Sequence, residues 1–176
     1  MSGTAESAVR RYPSTVVAMS KRSFMRAALA PLKPTEGLEV RSFEAGDTHA
    51  LGALMYRAYL DTVDYEGETP EQAAAEVAKT IKGEYGTFLP SCSKVFARSR
   101  SLLSATLVTR FQDRPFVAFT FTEPESAGQG LARACMQSAM NELFVQGERE
   151  LRLVVTLANT PAVKLYTRLG FEFERE

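Results

Sequence analysis

The sequence predicts an α/β fold with a mixed sheet, in the order β-α-α-β-β-β-α-β-α-β. Three observations within one stretch carry that expectation. Val117, Phe119 and Phe121 alternate with Ala118, Thr120 and Thr122, the period of a half-buried strand, and Glu123-Pro124 stops it. The segment Ala127-Gly128-Gln129-Gly130-Leu131-Ala132 then turns straight into a helical pattern, with Leu131, Cys135, Ala139 and Leu143 on one stripe and Ala132, Met136, Met140 and Phe144 beside it. Gly147 ends that helix, and Leu151, Leu153, Val155 and Leu157 alternate as a second strand. Strand, glycine turn, helix, strand is a βαβ unit, so its two strands are expected to run parallel.

The remaining elements follow in order. Residues 1–36 are polar, basic and punctuated by Pro13, Pro31 and Pro34, and read as an N-terminal extension, helical or disordered. A short amphipathic helix over residues 16–29 is the expected form, with a disordered tail as the other choice. Ser20-Lys21-Arg22-Ser23-Phe24-Met25-Arg26 has the look of a twin-arginine export signal, but the apolar run after it halts at Pro31, too early for one. Residues 37–176 read as one domain. Residues 38–43 alternate as its first strand, and Asp47 is placed to cap a helix carrying Leu51, Leu54, Met55, Ala58 and Tyr59. The acidic loop 61–68 breaks that helix, and Thr69-Pro70 opens another, to about Ile81. After a loop over 83–93, strands are expected at 94–98 and 102–111, with a turn at 112–115 into the Phe116 strand.

Composition narrows the function. With 176 residues, 45% hydrophobic and 24% charged, the chain can bury a core as one globular domain. A formal net charge of +0 gives no reason to expect nucleic-acid or membrane attraction. No apolar run is long enough to span a bilayer, and the expected location is the cytoplasm. Cys92 and Cys135 make no disulfide framework and read as reduced thiols. A single histidine, His49, excludes a His-rich metal site and reads as a surface or capping residue, so no metal is expected.

The glycine turn points to an anion. The first amides of a helix have no internal partners and carry the positive end of its dipole. Glycines at 128 and 130 let a phosphate approach the backbone. A dinucleotide site wants a third glycine where Arg133 stands, and an acid where the second strand runs into Ala158-Asn159. A P-loop needs Gly-Lys-Ser/Thr, which Gln129-Gly130-Leu131 does not supply. A pyrophosphate carried by another molecule remains, beside a tight turn that binds nothing.

The next segment decides between these. Asn159-Thr160-Pro161-Ala162-Val163-Lys164-Leu165-Tyr166-Thr167-Arg168-Leu169-Gly170-Phe171 resembles motif B of the GNAT superfamily of acyl-CoA-dependent N-acyltransferases. Residues 127–132 resemble that family's motif A, [Q/R]-x-x-G-x-[G/A], at Gly130 and Ala132; Ala127 departs from the first position, which removes one side-chain contact to phosphate but none of the backbone ones. The resemblance covers roughly residue 38 to the C-terminus. It implies a GNAT-like sheet whose two parallel strands splay into an acyl-CoA cleft, with acetyl-CoA or coenzyme A as co-substrate. The acceptor it implies is a small-molecule or peptide amine, and dimers are common in the family, so a homodimer is a further expectation.

Site residues follow from the same resemblance. Ala127, Gly128, Gln129, Gly130, Leu131 and Ala132 hold the phosphates, while Phe121 and Thr122 offer backbone groups to the pantetheine arm and thioester. Asn159 reaches the cofactor, or is a turn residue at the helix entry; the two are compatible. Tyr166 is the general acid for the leaving thiolate, against a reading as a core aromatic on the stripe of Ala162, Leu165 and Leu169. Glu123 is the first choice of base for the acceptor amine, against a solvated strand-end residue. Tyr59, Asp64, Tyr65 and Glu66 border the acceptor side and suggest a cationic amine, against a reading of most of those charges as a solvated acidic loop, and Tyr85 and Phe88 in the loop 83–90 lie on the same side. The alternative from another class is a non-catalytic acyl-CoA-binding or regulatory domain.

Overall fold

An eight-stranded sheet runs through the protein, seen in a computed structural model that describes residues 21–175. The elements are β1 (Arg22–Ala28), β2 (Val40–Ser42), α1 (Thr48–Tyr59), α2 (Pro70–Lys82), β3 (Thr87–Phe88), β4 (Lys94–Arg98), β5 (Ser101–Phe111), β6 (Arg114–Thr122), α3 (Leu131–Val145), β7 (Glu150–Thr156), α4 (Thr160–Arg168) and β8 (Glu172–Phe173). The strands lie in the order β2-β4-β5-β6-β7-β1-β8, with β3 paired to β5. From β2 onward the expected succession holds, and β3 is an addition inside the stretch read as loop.

The expected helix over 16–29 is corrected. Within the described residues, 22–28 form a strand that pairs antiparallel with β7, from Arg22↔Thr156 to Ala28↔Glu150, and with β8 on its other side. Met25 and Ala27 are buried and alternate with exposed Arg26 and Ala28, a period of two that the helix-favouring alanines conceal. Two free strand edges supply hydrogen bonds along the segment, which outweighs local propensity. Residues 16–20 of that expectation lie outside the described residues. Arg152 of β7 fastens the three strands together. Its guanidinium makes two 2.6 Å hydrogen bonds to Glu174 and lies 5.3 Å from the centre of the Phe24 ring.

From β1 the chain crosses α3 to reach β2 at the opposite edge. Leu29 N–H donates to the Arg149 carbonyl, the Leu32 backbone exchanges two hydrogen bonds with the Asn141 side chain, and the Thr35 hydroxyl donates to Gln137. Asp47 does not cap α1 with its side chain. Its carboxylate instead accepts from the Arg41 guanidinium at 2.7 and 2.8 Å and from the Glu44 N–H at 2.8 Å, closing a 3-10 turn before the helix.

Two large cores lie on the two sides of the sheet. One joins α3 and α4 to β1 and β7 through Met25, Met136, Met140, Leu143, Leu153 and Phe171. The other joins α1 and α2 to β5 and β6 through Leu51, Leu54, Val77, Leu107, Phe119 and Phe121. Gly52 lets the two helices of the second core meet, since a Cβ there would stand 2.7 Å from Ala74 Cα. The alternation expected along β6 is broken once. Leu107 pairs with Phe119 but Val108 pairs with Val117, so Ala118 is an unpaired extra residue. The bulge sends Val117 to the first core and Phe119 and Phe121 to the second. Beyond it β6 and β7 part. They are parallel, as expected, but share one register pair, Phe116↔Arg152.

Both cysteines are free and buried, and His49 is exposed. No helix among the described residues is long and apolar enough to cross a membrane.

Because Met25 is fully buried, Met25→Ala should destabilise the protein by about 2–5 kcal/mol in urea unfolding, a loss that an ornamental N-terminal strand would not show. The Arg152 guanidinium holds the Glu174 carboxyl below its ordinary value of 4.5. The native state therefore binds that proton less readily than the unfolded chain. The resulting stability is present above pH 4.5 and drains away as pH falls through the native value. Glu174→Gln should be less stable than the parent at neutral pH, and the two should converge in acid.

Candidate active site

The site is built where β6 and β7 separate. After Thr122 a 3-10 turn, Pro124–Ser126, leads to Ala127 and then to the two glycines. Gly128 and Gly130 have φ of 78° and 80°, left-handed values that favour glycine, and Gly130 is the N-cap of α3. A Cβ on either would meet nothing within 4 Å, so the space in front of the turn is open. Backbone hydrogen bonding resumes only with Ala134 N–H to the Gly130 carbonyl; the amides of 128–133 have no backbone acceptor among the described residues. A row of unmatched N–H groups at the start of a 15-residue helix has the polarity that suits an anion.

That turn opens into a cleft of ≈ 800 Å³ running between β6 and β7 to the α1–α2 side. The charges along it are sorted by element. Arg133 on α3 and Lys164 and Arg168 on α4 are cations; Asp64, Glu68 and Glu76, on α2 and the loop before it, are acids. Arg22, from β1, also reaches the cleft and pairs with Glu66 at 3.2 Å.

Tyr166 packs in the first core and its side chain also borders the cleft. Its ring packs 5.8 Å from that of Phe171. Burial pushes its phenol well above the ordinary value, and the charge of Asp64 adds to this. The hydroxyl therefore keeps its proton, which makes it a donor rather than a phenolate. Asn159 also does two things. Its Oδ1 accepts the Ala162 N–H at 3.2 Å, capping α4, while its Nδ2 donates to Asp64 at 2.6 Å. The acidic loop is thereby tied to the end of β7.

Most expected site residues come together. Phe121, Thr122, Ala127, Gly128, Gly130, Leu131 and Ala132 border the cleft, as do Asn159, Tyr166, Tyr59, Asp64, Tyr65 and Tyr85. Phe88 packs instead on Phe43, rings 5.0 Å apart. Gln129 stands aside, accepting from Arg98 at 3.5 Å. Glu66 touches the cleft through Arg22. Glu123 is clasped by Arg57, whose Nε and Nη2 donate to one carboxylate oxygen at 2.8 and 2.6 Å, and it is Thr122 rather than Glu123 that lines the cleft wall.

Sequence reasoning missed Arg22, Tyr56, Arg57 and Glu76. Two of these carried a signal. Tyr56 lies one helical turn from Tyr59, and Glu76 interrupts the buried stripe of Ala73, Val77 and Thr80 with a carboxylate.

The profile of the acetyltransferase (GNAT) family matches residues 96–171. The chain is 32% identical over 160 residues to a mycothiol acetyltransferase of Thermobispora bispora, covering 81% of this chain and 48% of the relative. Among solved structures, a GCN5-related N-acetyltransferase from Sphaerobacter thermophilus superposes with a TM-score of 0.67 at 19% identity, covering 87% of this chain and 48% of that one. A PaiA N-acetyltransferase from Thermoplasma acidophilum, solved with coenzyme A, gives 0.63 at 16% identity over 80% of this chain and 92% of that one. Residues 96–171 belong to the GNAT family, and the described chain as a whole has that family's fold. It spans about half the length of the curated relatives it matches.

Asn159→Ala should lose about 1 kcal/mol of stability through the missing cap. Asn159→Asp keeps a capping oxygen but sets a second carboxylate against Asp64, so its deficit in thermal melts should shrink as pH falls.

Proposed function

We propose that this chain is an N-acetyltransferase that moves an acetyl group from acetyl-CoA to a primary amine by direct attack of the amine on the thioester. The observation that carries the reading is the row of unmatched amides at residues 128–133, opening into the gap between β6 and β7 with Tyr166 in its wall. The open space before Gly128 and Gly130 fits a diphosphate, and the cations Arg133, Lys164 and Arg168 suit the charge of the same carrier. When bound, acetyl-CoA supplies an acyl group already activated as a thioester.

The chain's own groups do the rest. The backbone at Phe121 and Thr122, beyond the reach of the β7 ladder, orients the carrier's amide-bearing arm and offers an N–H to the acyl oxygen. Tyr166 acts as the acid by donating a hydrogen bond from its hydroxyl to the sulfur that departs, because a thiolate is a better leaving group when hydrogen-bonded. A primary ammonium, ordinarily near pKa 10.4, must lose a proton before it attacks. Glu123 is the base in this proposal; held by Arg57 at the end of β6 and outside the cleft lining, it takes the proton through water rather than directly. Glu76 and Asp64 border the cleft and are the competing carboxylates.

Thermal melting with acetyl-CoA, coenzyme A, NAD and ATP tests the carrier. A ligand at about 100 times its Kd adds roughly 2.7 kcal/mol, and only the two thioester-family ligands should do so. Gly130→Val, which fills the open space and strains a left-handed backbone, should abolish that shift. Tyr166→Phe should lower turnover of a thiol-release assay about a hundredfold while leaving the coenzyme A shift intact. Because the phenol stays protonated, no alkaline limb from Tyr166 should appear below about pH 10. Glu123→Gln should lower turnover while leaving the coenzyme A shift intact; if Glu76→Gln does so instead, the base is reassigned. A coenzyme A shift with no turnover on any amine would leave a binding domain.

A further inference from the structure

The half of the cleft bounded by α1, α2 and the loop 60–69 is chemically unlike the half at the glycine turn. Each tyrosine among the described residues lines the cleft, and four of the five, Tyr56, Tyr59, Tyr65 and Tyr85, are in this half. Two continue into the sheet as an aromatic wall: Tyr59 is 6.4 Å from Phe121 and Tyr85 is 6.5 Å from Phe119, ring centre to ring centre. Two hydroxyls are turned back into the protein, Tyr85 onto Glu76 at 2.5 Å and Tyr65 onto the Glu68 carbonyl at 3.2 Å. What those residues have left to present to a ligand is ring surface. Methyl and methylene groups of Met55, Ala58 and Ala73 complete the wall.

The charge of this half is negative. Asp64, Glu68 and Glu76 line it against Arg22, and although Glu76 also pairs with Lys79 at 2.9 Å, the carboxylates outnumber the cations. Arg22 is already engaged by Glu66, and it satisfies one oxygen only: the side chain of Glu66 is 9% exposed and its Oε2 is buried with no hydrogen-bond partner among the described residues. Aromatic faces combined with carboxylates select a cation. Away from the carboxylates the ring faces and methyl groups offer a sugar no hydrogen-bond partners, so hydroxyls placed there would be stripped of water without replacement.

We propose that this lobe is the acceptor site and that the acceptor is an aralkylamine, a primary ammonium carried on a flat apolar body, rather than an aminosugar or an anionic amine. The proposal rests on the acetyltransferase reading and names the substrate class for the same site. In it Glu76 and Asp64 attract the ammonium, and the tyrosines and phenylalanines hold the body.

The test uses the protein saturated with coenzyme A and three probes that need no turnover. These are trimethyl(2-phenylethyl)ammonium, 2-phenylethanol and glucosamine, read by thermal shift and by titration calorimetry. The quaternary ammonium should bind, the neutral alcohol and the sugar should bind at least about tenfold more weakly, and Glu76→Gln should weaken the ammonium by about tenfold. The variant retains an acceptor for the Tyr85 hydroxyl, and an unchanged coenzyme A shift certifies its fold. Equal binding of the alcohol, or preference for glucosamine, overturns the proposal, as does failure of all three probes. An absent coenzyme A shift in the parent protein overturns the acetyltransferase reading itself, and is thus told apart from failure of the acceptor assignment.

Discussion

The structure depends on one place where a sheet declines to close. β6 and β7 run parallel and are neighbours, yet they share a single register pair at Phe116↔Arg152. Backbone N–H and C=O groups in a protein interior need partners, and a gap between adjacent strands leaves a row of them without any from the ladder. The gap is held open from both sides. The bulge at Ala118 turns β6 toward the α1–α2 core, while β1 draws β7 toward the opposite end of the sheet through seven register pairs. A filled ladder would give a more stable sheet and no site. The stability surrendered there is carried by the two cores, which flank the gap without crossing it.

The cleft is polarised along its length, and this follows from which elements supply its walls. The cations come from the helix starting at the glycine turn and from α4; the acids come from the loop and helix that follow α1. Asn159 joins the two halves, since it caps α4 with one atom and grips Asp64 with another. Placing a carboxylate near a buried phenol strengthens the phenol's hold on its proton, so the position of the acidic loop and the proton affinity of Tyr166 are set together.

What could be read from the sequence was what depends on near neighbours. The turn at residues 127–132, the helix after it and the strand at 150–156 each carry their pattern within their own few residues, and those patterns are undisturbed. α2 announced itself with Thr69-Pro70, and the Thr69–Gln72 capping box is present. The bulge could not be read, because Val117, Phe119 and Phe121 are apolar whichever core they enter; an extra residue changes the face and leaves the pattern intact. Arg22 was invisible because its strand has no partner nearby in sequence. Arg57 and Glu123 are 66 residues apart, and neither is remarkable until α1 is laid across the end of β6.

The position of β1 also sets an order of events. It lies between β7 and β8, so both strands that hydrogen-bond to it are made long after it. A growing chain releases β1 early and must keep it waiting, with Met25 and Phe24 uncovered, until nearly the whole domain has emerged. Sequence-distant pairing of this kind carries a large loop-closure penalty and tends to come late in folding. Until it does, the outer edge of β7 is an unsatisfied strand edge that any extended segment can occupy, including β1 of another copy. The step that completes this sheet is thus the one most sensitive to protein concentration during synthesis.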